Sequence, residues 1–263
     1  LMASLPLLIS LMSATFQAQA NNQLPDIGTA GVAALPIEQE VRYGNAFMRF
    51  ARAGLPQVDY RVLFGRDAAL EARCLQELGL PVFVKPARAG SSVGITKVSD
   101  PAGLDAAIAE ARSWDPRLII EAGIPDAREI ECAVIVDETG APRATRCAEI
   151  IVSGAHEFYD FEAKYLADQH TEIDIPADIP AETEQQLRAM AVRAFEALSC
   201  EGLARVDFFV LPDGSLVINE LNTMPGFTPT SMYPQLWAAT GMSYPELVDR
   251  LVQLALRRGT GLR

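Results

Sequence analysis

Residues 204–222 read ARVDFFVLPDGSLVINELN. Two apolar, alternating runs flank Asp213-Gly214, a short-range signal for a β-hairpin. A two-residue turn on that pair sets Pro212 opposite Ser215, Asp207 opposite Glu220 and Arg205 opposite Asn222. Strand alternation then turns all four functional side chains to one face. Two carboxylates directly opposite repel each other, a poor choice for a purely structural sheet. A divalent cation removes the conflict, because Asp, Glu and Asn supply hard oxygens that suit Mg²⁺ alongside substrate phosphates. The alternatives are a solvated face that is simply acidic, or a longer turn that breaks this register.

A second stretch, residues 83–95, reads FVKPARAGSSVGI. Lys85 ends an apolar strand, so its ammonium is held at a fixed place, and the small-residue loop after it offers unobstructed backbone N–H groups that can cradle phosphates. It is not the P-loop order, in which the lysine follows the glycines. Taken alone, an ordinary glycine-containing hairpin explains the motif equally well. The chain's Lys+Arg total is 22, yet the lysines are only Lys85, Lys97 and Lys164. Lys85 and Lys164 therefore mark places that need a compact point charge on a flexible stem.

Around these stretches the periodicity predicts helices and strands in alternation. Asp100-Pro101 reads as an N-cap with proline at the first helical position, leading a helix through Leu104, Ile108 and Ala111. Residues 181–199 place Leu187, Met190, Ala191, Ala194, Phe195 and Leu198 on one apolar stripe. Ser243 and Glu246 form a capping box ahead of LVDRLVQLAL. The runs LPVFVKP, VGITKV, RLIIEAG, IECAVIVD, ARVDFFVL and SLVINELN read as strands. The order predicts an α+β or mixed α/β protein without internal repeats.

The composition agrees: of 263 residues 49% are hydrophobic and 21% charged, which suits a globular chain with a sizeable core. A net charge of −12 argues against nucleic-acid binding, although a local cationic site can still hold a nucleotide. Cys74, Cys132, Cys147 and Cys200 lack any C-x-x-C spacing, and His156 and His170 match no zinc pattern, so structural zinc is not expected. The cysteines read as small core residues of a reducing, cytoplasmic compartment. Residues 5–20, LPLLISLMSATFQAQA, have the apolar run and A-Q-A site of an export signal. No basic residue precedes Arg42, against the usual charged flank, and the run is too short to span a membrane.

Four motifs in order now carry a family resemblance: VFVKPARAGSSVGITKV (82–98), EFYDFEAKYL (157–166), GLARVDFF (202–209) and INELNTMPGFTPTSMYP (218–234). Together they resemble the D-alanine–D-alanine ligases of the ATP-grasp superfamily, from about Gly54 to the C-terminus. The resemblance implies an α+β, ATP-grasp fold of two α+β subdomains sandwiching ATP, with an N-terminal α/β domain largely missing. The expected division is an atypical segment 1–40, a small subdomain 41–134 with the glycine-rich lid loop, and a C-terminal subdomain 135–263 with the metal and substrate site.

It also implies ATP-dependent ligation of two D-alanines through an acyl phosphate, for peptidoglycan precursors, with two Mg²⁺ or Mn²⁺ ions. Lys85 would contact ATP phosphates, Ser91 and Ser92 would sit in the lid, and Lys164 would reach the phosphates from a second loop. Glu121 and Glu129 would border the adenosine pocket, with Glu129 on the ribose. Asp207, Glu220 and Asn222 would be the metal ligands, and Arg205 would stabilise the transferred phosphoryl group. Tyr165 would shape the acceptor site and favour D-alanine over D-lactate, while Gly226 and Ser231 would help bind the amino acid. D-alanine and ATP are the expected partners, with neither nucleic acid nor membrane. A homodimer is compatible with the resemblance but not required by it.

The sequence departs from the family at its start. The domain that family members place first carries a glycine-rich turn with Ser, Glu and His, and residues 1–40 show no such motif. A further family lysine falls near Tyr43, with Arg42 beside it, and IPDARE (124–129) is one residue longer than usual. Two functions therefore stand side by side: a working ligase, or an ATP/Mg-binding module with little or no ligase activity.

Overall fold

The computed structural model describes residues 50, 53–65, 68–89, 92–152 and 171–258. Ser91, His156, Lys164, Tyr165, His170 and the segment 1–40 lie outside them.

The first sheet has the order β1-β4-β2-β3, with β1 Tyr60–Phe64, β2 Val82–Pro86, β3 Thr96–Val98 and β4 Arg117–Ala122. Its pairings are antiparallel. Alternation in β2 buries Val82, Val84 and Pro86 and leaves Phe83 and Lys85 on the half-open face. The buried face joins Leu63, Leu118 and Ile120 to helices α1 (Ala68–Leu78) and α2 (Leu104–Trp114) through Cys74, Leu104, Ile108 and Ala111. The expected start of α2 is present as a 3-10 turn over Pro101–Gly103, where the Asp100 side chain accepts from Ala102 N at 2.9 Å.

The second sheet has the order β7-β6-β5-β8-β9. Its strands are β5 Arg128–Val136, β6 Pro142–Val152, β7 Thr171–Asp174, β8 Leu203–Val210 and β9 Leu216–Asn222. Helices cover both faces: α3 (Ala181–Ala197) on one, α4 (Met232–Ala239) and α5 (Tyr244–Arg257) on the other. The stripe read from residues 181–199 is the buried face of α3, with Leu187, Ala191, Ala194 and Phe195 against Ile130, Cys132, Val206 and Phe208. On the opposite face Tyr233, Leu236, Trp237 and Leu247 meet Ala133, Ile135 and Ala148. Burial on both sides explains why Ile130 through Ile135 of β5 are all buried. The capping box is formed: Glu246 Oε2 accepts from Ser243 N at 2.8 Å and Ser243 Oγ at 2.7 Å.

The chain passes from the first sheet to the second between Ala122 and Arg128. The chain turns at Gly123, whose N–H donates to Pro81 O at 2.7 Å and where a Cβ would lie 2.8 Å from that oxygen. A second link runs through Gln57, which bridges in parallel to Ile218 on β9, while Ile218 N donates to Pro56 O at 2.9 Å.

One sequence expectation, the two-residue hairpin turn, needs correction: the turn is longer. Leu211 N donates to Ser215 O, Gly214 N donates to Leu211 O, and Gly214 has φ +82°, which makes a three-residue loop with a left-handed glycine. That loop shifts the register, so Phe208 pairs with Ile218 and Val210 with Leu216. A bulge between Asp207 and Phe208, with Asn219 as the extra residue, shifts it back. Asp207 opposite Glu220 and Arg205 opposite Asn222 are therefore observed, through two offsetting irregularities. The reason is burial: Leu216, Ile218 and Leu221 all pack on the α3 side, and only an extra residue lets three-apart positions share a face.

Candidate functional site

The charged row crosses three strands. Glu131 on β5 is the register partner of Asp207 on β8, which is the partner of Glu220 on β9. One step along, Ala133, Arg205 and Asn222 form the neighbouring row. Arg205 organises the group: its Nε donates to Asp207 Oδ1 and its Nη2 to Asp207 Oδ2, both at 2.7 Å. Its Nε also lies 3.1 Å from Glu131 Oε2, and its Nη2 lies 3.8 Å from Glu220 Oε1. Burial pulls the guanidinium pKa down, but the charges of Asp207, Glu131 and Glu220 outweigh it and hold Arg205 above its ordinary value. It stays a cation.

The three carboxylates around Arg205 place hard oxygen donors on one face, the donor type that suits a divalent cation. Among the described residues no three acidic, His or Cys side chains close on a point that could hold a metal ion. The carboxylates are turned to Arg205 instead. Asn222 Oδ1 accepts from Met224 N at 2.9 Å, which fixes the amide at the end of β9.

Beyond β9 the chain folds Gly226 against Ser231: a Cβ at Gly226 would lie 3.0 Å from Ser231 Oγ. Ser231 opens α4 and its Oγ accepts from Thr228 N at 3.1 Å. The structure thus brings these two expected residues together. Glu129 lies on the same face of β5 as Glu131, opposite Phe209 and Ile150.

Lys85 and Glu121 stand on the first sheet and form an ion pair with each other. Both lie on its half-open face, away from the α1–α2 core. The loop after Lys85 is anchored at both ends to the C-terminus of α2. Arg88 donates to Asp115 Oδ2 and Oδ1 at 2.7 and 2.9 Å, and Gly94 sits so close to Trp114 that a Cβ would be 2.5 Å from the ring. Ser92 within the loop has φ +61°, uncommon for a residue other than glycine. Ser91, Lys164 and Tyr165 lie outside the described residues.

Sequence reading missed Glu131. The residue is a charge in an apolar strand, IECAVIVD, which was the available signal. Its relation to Arg205 depends on β5 lying beside β8, and no local pattern gives that. A bulge between Cys132 and Val134 adjoins it. The displaced Ala133 N–H donates to Thr145 Oγ1 at 3.0 Å, and Tyr233 OH donates to Val134 O at 2.9 Å. Both groups are thereby satisfied inside the sheet.

Two antiparallel sheets joined by short links, each presenting charged side chains on one face, have the ATP-grasp fold, and solved structures of similar shape bear this out. The D-alanine–D-alanine ligase from Coxiella burnetii matches with a TM-score of 0.68 at 36% identity, covering 80% of this chain and 55% of that one. The D-Ala:D-Ser ligase VanG from Enterococcus faecalis matches at 0.67 and 37% identity, covering 80% and 60%. The chain belongs to the family described as D-ala D-ala ligase C-terminus, whose model matches residues 50–253. Among curated relatives, the D-alanine–D-alanine ligase of Arthrobacter sp. (strain FB24) is 52% identical over 240 residues, which is 89% of this chain and 62% of the relative. That of Streptomyces coelicolor is 52% identical over 248 residues, 91% and 62%. The chain spans about three fifths of the length of the curated relatives it matches.

Proposed function

We propose that this chain carries the ATP- and metal-handling part of a ligase that joins two D-alanines through an acyl phosphate. The observation that carries the reading is the Glu131–Asp207–Glu220 row gathered around Arg205, with Asn222 beside it. Mg²⁺, when bound by Asp207, Glu220 and Asn222, would supply charge neutralisation for phosphate oxygens. Arg205 supplies a permanent cation for charge that develops during phosphoryl transfer. Lys85, released from Glu121, would meet phosphate from the first sheet, and Glu121 and Glu129 would border the nucleoside. Ser91, Ser92 and Lys164 would act on the phosphates as closing groups. Gly226 and Ser231 would hold the amino acid, and Tyr165 would shape the acceptor side. In this reading the two sheets are the two lobes around the nucleotide. The relatives' names supply the substrates: D-alanine for the ligases of Arthrobacter, Streptomyces and Coxiella, and D-serine beside it for VanG. The cytoplasm is the compartment that ATP use and peptidoglycan precursor synthesis imply.

A second reading, nucleotide and metal binding with little or no ligation, draws on the share of its relatives' length that the chain spans. One preparation tests both. Mg-ATP binding is measured by calorimetry, and phosphate release is followed with ATP and D-alanine, D-serine or D-lactate. Release that depends on D-alanine, with dipeptide formed, supports the ligase. Binding without release supports the second reading, and absence of binding overturns both.

A further inference from the structure

Arg205 is held from two strands, and the two holds differ in kind. Asp207, two residues along β8, takes both Nε and Nη2 at 2.7 Å. Glu131 comes from β5, on the opposite side of β8 from β9, and its Oε2 lies 3.1 Å from Nε as an ion pair, the single Nε–H being donated to Asp207. Side-chain exposure rises across the row, from 6% at Glu131 through 11% at Asp207 to 53% at Glu220. Glu220 is open to a ligand, whereas Asp207 and Glu131 are both buried, Glu131 the more deeply.

Asp207 cannot give both oxygens to Arg205 and also serve a cation fully. A second cation nearby would in addition repel the guanidinium, so keeping Arg205 in place needs a carboxylate that the cation does not share. Glu131 is such a group: buried, in ladder register, and on the strand remote from Glu220.

We propose that Glu131 is the positioning residue of Arg205, holding its Nε against β5 so that Asp207 is free to turn toward a divalent cation. The hold on Arg205 stands on the geometry alone; its consequence for metal binding rests on the function proposed above. Without Glu131 the guanidinium depends on Asp207 and competes with the cation for it.

The test uses Glu131→Gln, which keeps the shape and one acceptor, and Glu131→Leu, which removes both charge and acceptor. In metal-free protein carrying Asp207→Ala, so that Asp207 no longer takes the single Nε–H, hydrogen exchange at the Arg205 Nε–H is read by nitrogen-15 NMR. It is expected to accelerate by about tenfold or more in Glu131→Leu and by less in Glu131→Gln, since an enclosed, charge-paired donor is protected. A merely structural glutamate would lower global stability without this graded signature at one side chain. In parallel, Mg²⁺ is titrated in the presence of ATP, alone and in an Arg205→Met background. Glu131→Gln is expected to weaken Mg²⁺ binding by about tenfold with Arg205 present and by less than about threefold without it, the coupling that a double-mutant cycle isolates. If Glu131→Leu does not fold, Glu131→Gln carries both readouts. Unchanged Arg205 exchange in the folded variants, or an equal Mg²⁺ effect in both backgrounds, overturns the proposal. A wild-type chain that binds no Mg-ATP overturns the proposed function instead, while the exchange measurement still decides whether Glu131 holds Arg205.

Discussion

Asp207 and Glu220 stand directly opposite each other on β8 and β9, and Arg205 Nη2 lies 2.7 Å from an oxygen of the first and 3.8 Å from one of the second. One guanidinium thus leans to Asp207 and leaves Glu220 the more open member of the pair. Replacing Glu220 by Gln should weaken Mg-ATP binding about tenfold or more, or about 1.4 kcal/mol. Stability should hardly change, because the side chain is half exposed. Calorimetric titration against wild type checks this, and equal affinities would remove Glu220 from the ligand set.

Lys85 and Glu121 pair on the half-open face of the first sheet, at the entrance to the glycine-containing loop. Lys85→Arg keeps the charge but replaces a compact ammonium with a planar fork. If Lys85 meets phosphate, the variant should lose about 2–5 kcal/mol of nucleotide interaction, as expected for a desolvated charged contact. Near-normal Mg-ATP affinity in the variant would mean that the lysine serves Glu121 alone.

The Arg88–Asp115 pair makes stability depend on acid pH. Burial pushes the Asp115 carboxyl up, but hydrogen bonds from Arg88 and Arg117 N and their charges outweigh it, holding the group below its ordinary value of 3.8. A depressed folded-state pKa means that the unfolded chain binds the proton first as pH falls. The contribution is therefore complete above about pH 5 and is lost as pH drops through 3.8 toward the lower folded value. Arg88→Met should cost about 3 kcal/mol at pH 7, because it strands a buried carboxylate. Urea unfolding of both proteins from pH 7 to pH 3 should show that difference shrinking below about pH 4. A difference independent of pH would refute the assignment.

Gly94 has φ +71°, and a Cβ there would lie 2.5 Å from the Trp114 ring. Gly94→Ala should therefore destabilise by about 2–4 kcal/mol, combining left-handed backbone strain with overpacking. Adding Trp114→Ala should return the overpacking part and not the backbone part. Trp114 is exposed whereas Trp237 is fully buried, so its longer-wavelength emission reports on the loop stem. A Gly94→Ala protein as stable as wild type, with unchanged emission, would show that the stem is not seated on Trp114.

What the sequence determined was whatever repeats within one segment. The stripe from Leu187 to Phe195 gives α3, the Asp100 cap and the Ser243–Glu246 box start α2 and α5, and alternation in ARVDFFVL turns Arg205 and Asp207 to one face. These are local matters of period and capping, so a single chain shows them. Strand β6 escaped notice because Arg143, Arg146 and Glu149 interrupt its apolar run. Two of those charges are answered from distant elements, Arg146 by Glu184 on α3 and Glu149 by Arg128 on β5. The bulge at Asn219 left a trace in the sequence, the three-residue step from Ile218 to Leu221. Only burial of both against α3 decides that an extra residue is inserted there. Tertiary structure alone decided that β5 lies beside β8, which sets Glu131 against Arg205 from more than seventy positions away. Strand neighbours are chosen by which faces bury together, and that choice is made between segments rather than within them.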